Sequence, residues 1–323
     1  MAAINLAKSI NEALADAMAA DPTVVLMGED VGRTGGVFRV TDGLLEQFGE
    51  ERVIDAPVAE SGIAGVGFGM AVGGLKPVLE MQFMGFSYPA FDQVISHVGR
   101  IRHRSRHRFT APLVIRIPYG GGIGAAEHHS ESAEAIYAHT PGLKVVVPSR
   151  PSDAYGLLRA AIEDPDPVIF LEPIRLYRAV KEELTESPVP LGSARIEREG
   201  SDVTVIAYGA MMREARQAAD ALGARGIGVE VVDLRSLVPL DVATIIGSVH
   251  KTGRAVMVHE APMTAGFGAE VVAQIQERAL FSLKAPVRRV TGWDTVFPLK
   301  RGEDLYLPSV ERIVAAVEST LDI

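Results

Sequence analysis

Cysteine is absent from this chain of 323 residues, which excludes disulfides, thiolate metal sites and a cysteine nucleophile, and leaves the redox compartment open. Positive charge is in deficit: the net charge is -9, the opposite of the basic surface that a nucleic-acid partner calls for. No apolar run approaches the ~18–20 residues needed to span a bilayer, so no membrane-crossing segment is expected. The opening residues, Met1-Ala-Ala-Ile-Asn5, carry no basic leader before an apolar stretch, so no signal peptide is expected and a cytoplasmic location is the plainest reading. Internal repeats and low-complexity segments are missing as well. What is present is a composition 47% hydrophobic and 23% charged. At this length it suffices for about two domains, each with its own core. The 32 glycines cluster where backbones must come close.

Short β-branched runs alternate with longer helical patterns. Val24-Val-Leu-Met27, Pro77-Val-Leu-Glu-Met81, Leu113-Val-Ile-Arg-Ile117, Val145-Val-Val147 and Val168-Ile-Phe-Leu171 read as strands. Amphipathic stretches at 4–20, 60–74, 89–104 and 151–163 lie between them. Continuous apolar strands flanked by helices predict a parallel sheet covered on both faces. From about Pro173 to Gly200 the rhythm breaks, with Glu182-Glu183, Pro188 and Pro190, and the segment reads as a linker over the surface. Alternation resumes with Val203-Thr-Val-Ile-Ala207, Val229-Glu-Val-Val-Asp233, Ala255-Val-Met-Val-His259 and Val287-Arg-Arg-Val290. The expected fold class is α/β with two parallel or mixed-sheet domains, at 1–180 and 201–323, joined by a linker at 181–200.

Four segments carry candidate chemistry. In Asp55-Ala-Pro-Val-Ala-Glu60-Ser-Gly-Ile-Ala-Gly-Val-Gly-Phe-Gly-Met70 a carboxylate opens a helix of small and apolar residues. The helix N-terminus favours the anion and apolar neighbours penalise it, a balance suited to hydrogen bonding a heterocyclic ring nitrogen. The plain alternative is a capping carboxylate on a helix packed through its glycines. Gly65-Val-Gly67 begins a dinucleotide fingerprint, but Met70 stands at the third glycine position and the motif lies inside the helix pattern. In Pro118-Tyr-Gly-Gly-Gly-Ile-Gly-Ala-Ala-Glu-His128-His129-Ser130 a glycine-rich loop delivers two histidines, whose titration near neutrality suits proton transfer. Adjacent histidines diverge and rarely chelate one ion, and HExxH spacing is absent. The strand and turn Leu79 to Gln93 offers aromatics for stacking a planar ring, or for ordinary core packing. Gly28-Glu29-Asp30-Val31-Gly32 puts acids at the C-terminal end of the first strand, either at a ligand-binding edge or in a solvated turn.

Together these segments resemble the beta subunit of the thiamine-diphosphate-dependent 2-oxo acid dehydrogenases, the decarboxylase component of large dehydrogenase complexes. The resemblance runs nearly end to end. It is carried by Met27-Gly-Glu-Asp-Val-Gly32, Gly36-Val-Phe-Arg39, Pro57-Val-Ala-Glu-Ser-Gly62, Pro89-Ala-Phe-Asp-Gln93, His129-Ser-Glu-Ser132, Pro141-Gly-Leu-Lys-Val145, Lys251-Thr-Gly-Arg254 and His259-Glu-Ala261. It implies a thiamine diphosphate pyrimidine-binding domain followed by a transketolase C-terminal-like domain. It implies that Glu60 hydrogen-bonds the aminopyrimidine ring nitrogen, favouring the tautomer that takes the thiazolium proton, with Glu29 a second acid nearby. Val58, Gln82 and Phe86 match positions lining the pyrimidine. His129 matches the histidine near the reacting carbon, where it would donate a proton to substrate oxygen or lipoyl sulfur; His128 has no counterpart.

The family binds magnesium and diphosphate through a Gly-Asp-Gly segment, which this chain lacks. The resemblance therefore implies that an alpha subunit brings that site, in a heterotetramer of two alpha and two beta chains. The acyl group would pass to a lipoyl acyltransferase. Some members hold a structural potassium, whose ligands would fall at Ala161, Asp164 and Asp166 here. Phe86 to Gln93, Glu127 to Ser130 and Tyr177-Arg178 are similar to branched-chain members, so branched-chain 2-oxo acids are the expected substrates, with pyruvate or acetoin enzymes as the alternative. A nicotinamide-dependent dehydrogenase and a non-catalytic scaffold subunit docking an acyltransferase are the rivals from other classes.

Overall fold

A computed structural model describes residues 3–184 and 189–322. Pro188, one of the prolines used to mark the linker, lies outside the described residues, as do Met1 and Ala2 of the opening segment. The first sheet has seven strands in the order Ser236–Val238, Lys144–Val146, Val168–Pro173, Val114–Tyr119, Lys76–Glu80, Val24–Gly28 and Val53–Asp55. All neighbours are parallel except Ser236–Val238, which runs antiparallel to Lys144–Val146. The second sheet orders Arg288–Gly292, Ala255–Pro262, Val203–Ala207, Val229–Asp233 and Arg195–Arg198, with only the last strand antiparallel.

The apolar runs become central strands because parallel strands are covered on both faces and must be apolar throughout. Val24–Gly28, Val203–Ala207 and Val229–Asp233 are buried at every position. Helix Leu6–Ala20 starts at Asn5, whose side chain accepts the Lys8 N–H at 2.9 Å. It packs on helix Pro151–Glu163, which begins with proline where no N–H is needed. Both large apolar clusters take residues from both sheets: Leu26 and Phe170 with Val205 and Val258 in one, Ile115 and Val145 with Ile206 and Met257 in the other. The two sheets therefore share a continuous core. No helix among the described residues is long and apolar enough to cross a membrane.

Two expectations change. The helical pattern at 89–104 is broken into the turn Met84–Ala90, helix Phe91–Ser96, a short turn Val98–Arg100 and helix Ile101–Arg104. Pro89 opens the stretch, where a missing N–H costs little, but Gly99 approaches the Pro141 carbonyl so closely that an added Cβ would sit at 3.2 Å. The stretch read as a surface linker is partly built in. Ile174, Leu176 and Tyr177 are buried, Lys181–Glu182 pairs with Ile4–Asn5, and Arg195–Arg198 edges the second sheet.

Candidate active site

The candidate residues gather at the C-terminal ends of strands in the first sheet, the edge where open α/β sheets bind ligands. Glu29 follows Val24–Gly28 directly. Gly28 brings this strand against Lys76–Glu80 so tightly that a Cβ would lie 2.9 Å from the Glu80 carbonyl. The chain then turns through Asp30, at φ 58°, and Asp55 fixes the turn by accepting the Gly32 N–H at 2.6 Å. Glu29 is only 4% exposed. Its carboxylate accepts the N–H of Ala59, and its Oε1 has no partner. Burial raises the Glu29 carboxyl above the usual range, and the nearby Glu60 charge raises it further.

Glu60 is the first residue of helix Glu60–Val72. The cap position is Ala59, whose methyl accepts no hydrogen bond from the helix, and its own N–H is met by Glu29 from the neighbouring loop. The two carboxylates thus flank one helix entrance. The helix seats on the sheet through Gly67, where a Cβ would come within 2.5 Å of the Leu79 side chain. The glycines of the partial dinucleotide motif lie within this helix, away from any strand-to-helix turn. On its outer side Ser61, Gly62, Val66 and Gly69 are exposed, and Val58 just before it is 82% exposed.

The aromatic turn completes the edge. Gln82, half-buried, follows strand Lys76–Glu80, and Ser61 ties the Glu60 helix to the turn by donating to the Pro89 carbonyl at 2.5 Å. The His129 ring lies 4.6 Å from the Phe83 ring and 5.1 Å from the Phe86 ring, and its Nδ1 is buried without a partner. His128, absent from the expected set, packs with Phe86 at 5.3 Å and Tyr88 at 5.9 Å. Gly85 makes this possible, because any side chain there would strike the His128 carbonyl. The structure thus brings Glu29, Glu60, Gln82, Phe86 and His129 to one edge, with Val58 beside them.

The expected potassium ligands do not form such a group. Ala161 is buried in its helix. Asp164 meets Lys144 Nζ at 2.5 Å and accepts the Asp166 N–H, while Asp166 meets Arg102 Nε at 2.5 Å. Each carboxylate is thus paired with a side-chain cation, so a potassium ion at this segment would be held chiefly by backbone carbonyl oxygens. Among the described residues no group of three or more acidic, histidine or cysteine side chains is placed to hold a metal.

Two buried polar clusters were not assigned from sequence. Arg116, fully buried in the central strand, donates to Glu80 at 2.6 Å and to Glu172 at 2.7 and 3.0 Å, and Tyr177 donates to Glu172 at 2.5 Å. An arginine inside the run Leu113 to Ile117 was a visible signal of such a pair. The second cluster lies where the two sheets meet. Tyr208 donates to Glu134 at 2.6 Å, leaving Glu134 Oε2 buried without a partner. Glu260 accepts the Gly121 N–H at 3.2 Å, and burial pushes its carboxyl up to about 7. Beside it, burial and then the Arg289 charge hold His259 down at about 4. Glu303 accepts the N–H of Gly122 at 2.5 Å and of Gly124 at 3.0 Å.

Comparison with known proteins agrees with this layout. Residues 2–180 match the transketolase pyrimidine-binding domain, and residues 192–313 match the transketolase C-terminal domain. The chain is 49% identical over 319 residues to the pyruvate dehydrogenase E1 component subunit beta of Acholeplasma laidlawii, covering 98% of each. It is 48% identical over 324 residues to the protein of the same description from Staphylococcus aureus, covering all of both chains. A solved structure described as a split gene transketolase, inactive beta4 tetramer, shares the fold with a TM-score of 0.83 over 99% of each chain at 24% identity.

Proposed function

This chain belongs to the family of pyruvate dehydrogenase E1 beta subunits, thiamine-diphosphate-dependent 2-oxo acid dehydrogenases, and on that premise we propose that it supplies the pyrimidine-facing half of an active site that an alpha chain completes. The carrying observation is the carboxylate pair at the helix entrance: Glu29 buried with a free Oε1, Glu60 half-buried, and Val58, just before that helix, left 82% exposed. These residues fit an aminopyrimidine, which needs a carboxyl beside a ring nitrogen and apolar contact on its face. They do not fit a diphosphate, since two carboxylates repel a multivalent anion and the chain has no Gly-Asp-Gly segment. Magnesium and diphosphate are therefore assigned to the alpha chain.

When bound, thiamine diphosphate supplies the electron-accepting ring that makes loss of carbon dioxide from a 2-oxo acid feasible. The chain's own residues bind and orient. Glu29 holds the Ala59 N–H and so fixes the start of the helix on which Glu60 stands. Glu60 would hold the ring nitrogen of the aminopyrimidine by a hydrogen bond, and Val58, Gln82 and Phe86 would line the ring. His129, walled by Phe83 and Phe86, presents an imidazole for proton transfer at the substrate oxygen or the acyl-accepting sulfur of a lipoyl group.

For the substrate we favour pyruvate. The full-length relatives at 48–49% identity are named for it, and the preference for branched-chain acids rested partly on Tyr177-Arg178. Tyr177 is buried with its hydroxyl spent on Glu172, so it is not free to read a substrate side chain, while Arg178 is exposed and donates to the Phe38 carbonyl.

Reconstitution with the alpha chain tests both points. Glu60→Gln is expected to lower decarboxylation at least about 100-fold, within the range typical of acid–base groups, while leaving the fold intact. An unaltered rate would return the chain to the scaffold class. Wild-type kcat/KM is expected to be higher for pyruvate than for 3-methyl-2-oxobutanoate, and the reverse order restores the branched-chain reading.

A further inference from the structure

The loop that carries His128 and His129 is closed at its base by the Gly120 N–H donating to the Glu131 carbonyl at 3.0 Å. Between those ends, Gly120, Gly122 and Gly124 take φ of 87°, 93° and 69°. Alternation of this kind turns successive N–H groups toward one side and makes a concave nest for an anion. Here the anions come from the C-terminal half of the chain. Glu303 fills the nest with both oxygens, taking the Gly122 N–H at 2.5 Å and the Gly124 N–H at 3.0 and 3.3 Å, and Glu260 takes the Gly121 N–H at 3.2 Å. The fit is close on every side. A Cβ on Gly122 would lie 2.5 Å from Arg175, one on Gly124 would lie 3.1 Å from Lys300, and one on Gly121 would strike the Phe297 ring. Glu303 itself is 7% exposed at the start of a short helical turn, Glu303–Tyr306.

We propose that Glu303 is a positioning residue for catalysis: its carboxylate, set 181 residues beyond Gly122, clasps the glycine loop and holds His129 against its aromatic wall. Charged acceptors make the stronger hydrogen bonds to backbone N–H groups, and a glycine loop without them has many conformers to lose. The second half of the chain thereby sets the geometry of a histidine borne by the first. This rests on the function proposed above, but the clasp itself is measurable without it.

The test is Glu303→Gln, which keeps the shape and removes the charge. Amide hydrogen exchange across 120–131 in the intact chain is expected to quicken at least about tenfold, with Val114–Tyr119 and Val310–Leu321 unaltered. In the enzyme assembled with its alpha chain, kcat is expected to fall about tenfold while KM moves less than about twofold, because a misplaced histidine costs turnover rather than binding. Should Glu303→Gln lose its fold, the same measurements on Glu303→Asp, one methylene shorter but still charged, are expected to shift in the same direction by less. Unaltered exchange across 120–131 overturns the clasp. Quickened exchange with unaltered kcat overturns its role in catalysis. An inactive wild-type assembly would instead count against the proposed function, with the exchange result still standing on its own.

Discussion

At the scale of single residues, the site is built on a conflict that another residue could relieve. Glu29 and Glu60 face one helix entrance, and burial together with the Glu60 charge raises the Glu29 carboxyl. Glu29→Gln is expected to stabilise the chain alone by about 0.5–2 kcal/mol, the usual gain when a functional strain is removed, while lowering activity of the assembled enzyme. A carboxyl raised in the folded state destabilises only when ionised, so the gain is expected at pH 8 and should vanish near pH 4, where wild-type Glu29 is already protonated. Urea denaturation at the two pH values decides this, and an equal gain at both would sink it. Patterning alone left each of these acids open, Glu60 as a possible cap and Glu29 as a possible solvated turn; that the two stand near one another was implied only by the family resemblance. The Arg116 cluster was half legible, as polar residues inside apolar strands. Glu303 was not legible at all: nothing around Gly-Glu-Asp-Leu marks a partner that folding brings from 181 residues away.

At the scale of elements, helix Glu60–Val72 has one glycine face against the sheet and another left in solvent. Gly69 has nothing within 4 Å of where a Cβ would be, whereas Gly67 has Leu79 at 2.5 Å. Gly69→Ala is expected to stabilise the chain alone by about 1 kcal/mol through helix propensity. Gly67→Ala gains the same propensity but meets an overpacking cost of about 1–3 kcal/mol, for a net loss. If the outer face seats the alpha chain, Gly69→Ala should also weaken that association, which titration calorimetry would register; unaltered affinity would move the interface elsewhere. The same scale explains what sequence patterning found. Long apolar strands such as Val203–Ala207 declare themselves because burial on both faces demands them. Val53–Asp55, Arg195–Arg198 and Ser236–Val238 did not, being short and partly polar, and the last is also held by a strand remote in sequence. The helix expected over 89–104 failed because side-chain periodicity says nothing of the close approach at Gly99.

At the scale of the whole molecule, the two sheets meet over buried groups with opposed titrations. Glu260, faced by Arg175, Glu134 and Glu214, has its carboxyl raised from 4.5 to about 7. Its contribution is therefore complete below pH 4.5 and lost as pH rises through about 7, a cost of about 3 kcal/mol above that. His259 is lowered from 6.5 to about 4, so its contribution is present above 6.5 and lost as pH falls through about 4. Between these limits one slope offsets the other. Glu260→Gln is expected to leave the His259 slope alone, with stability rising from pH 4 to pH 6.5 and then level, gaining about 2–3 kcal/mol over wild type at pH 8 relative to pH 5. Guanidinium midpoints across that range test it, and parallel wild-type and variant curves would refute it. The edge strand Ser236–Val238, contributed to the first sheet by residues beyond the first strands of the second, bears on synthesis. On the ribosome, Lys144–Val146 emerges long before its antiparallel neighbour and waits with one side unpaired. The nascent chain carries an open sheet edge until residue 238 clears the exit tunnel, and that interval is when it most needs a chaperone's cover.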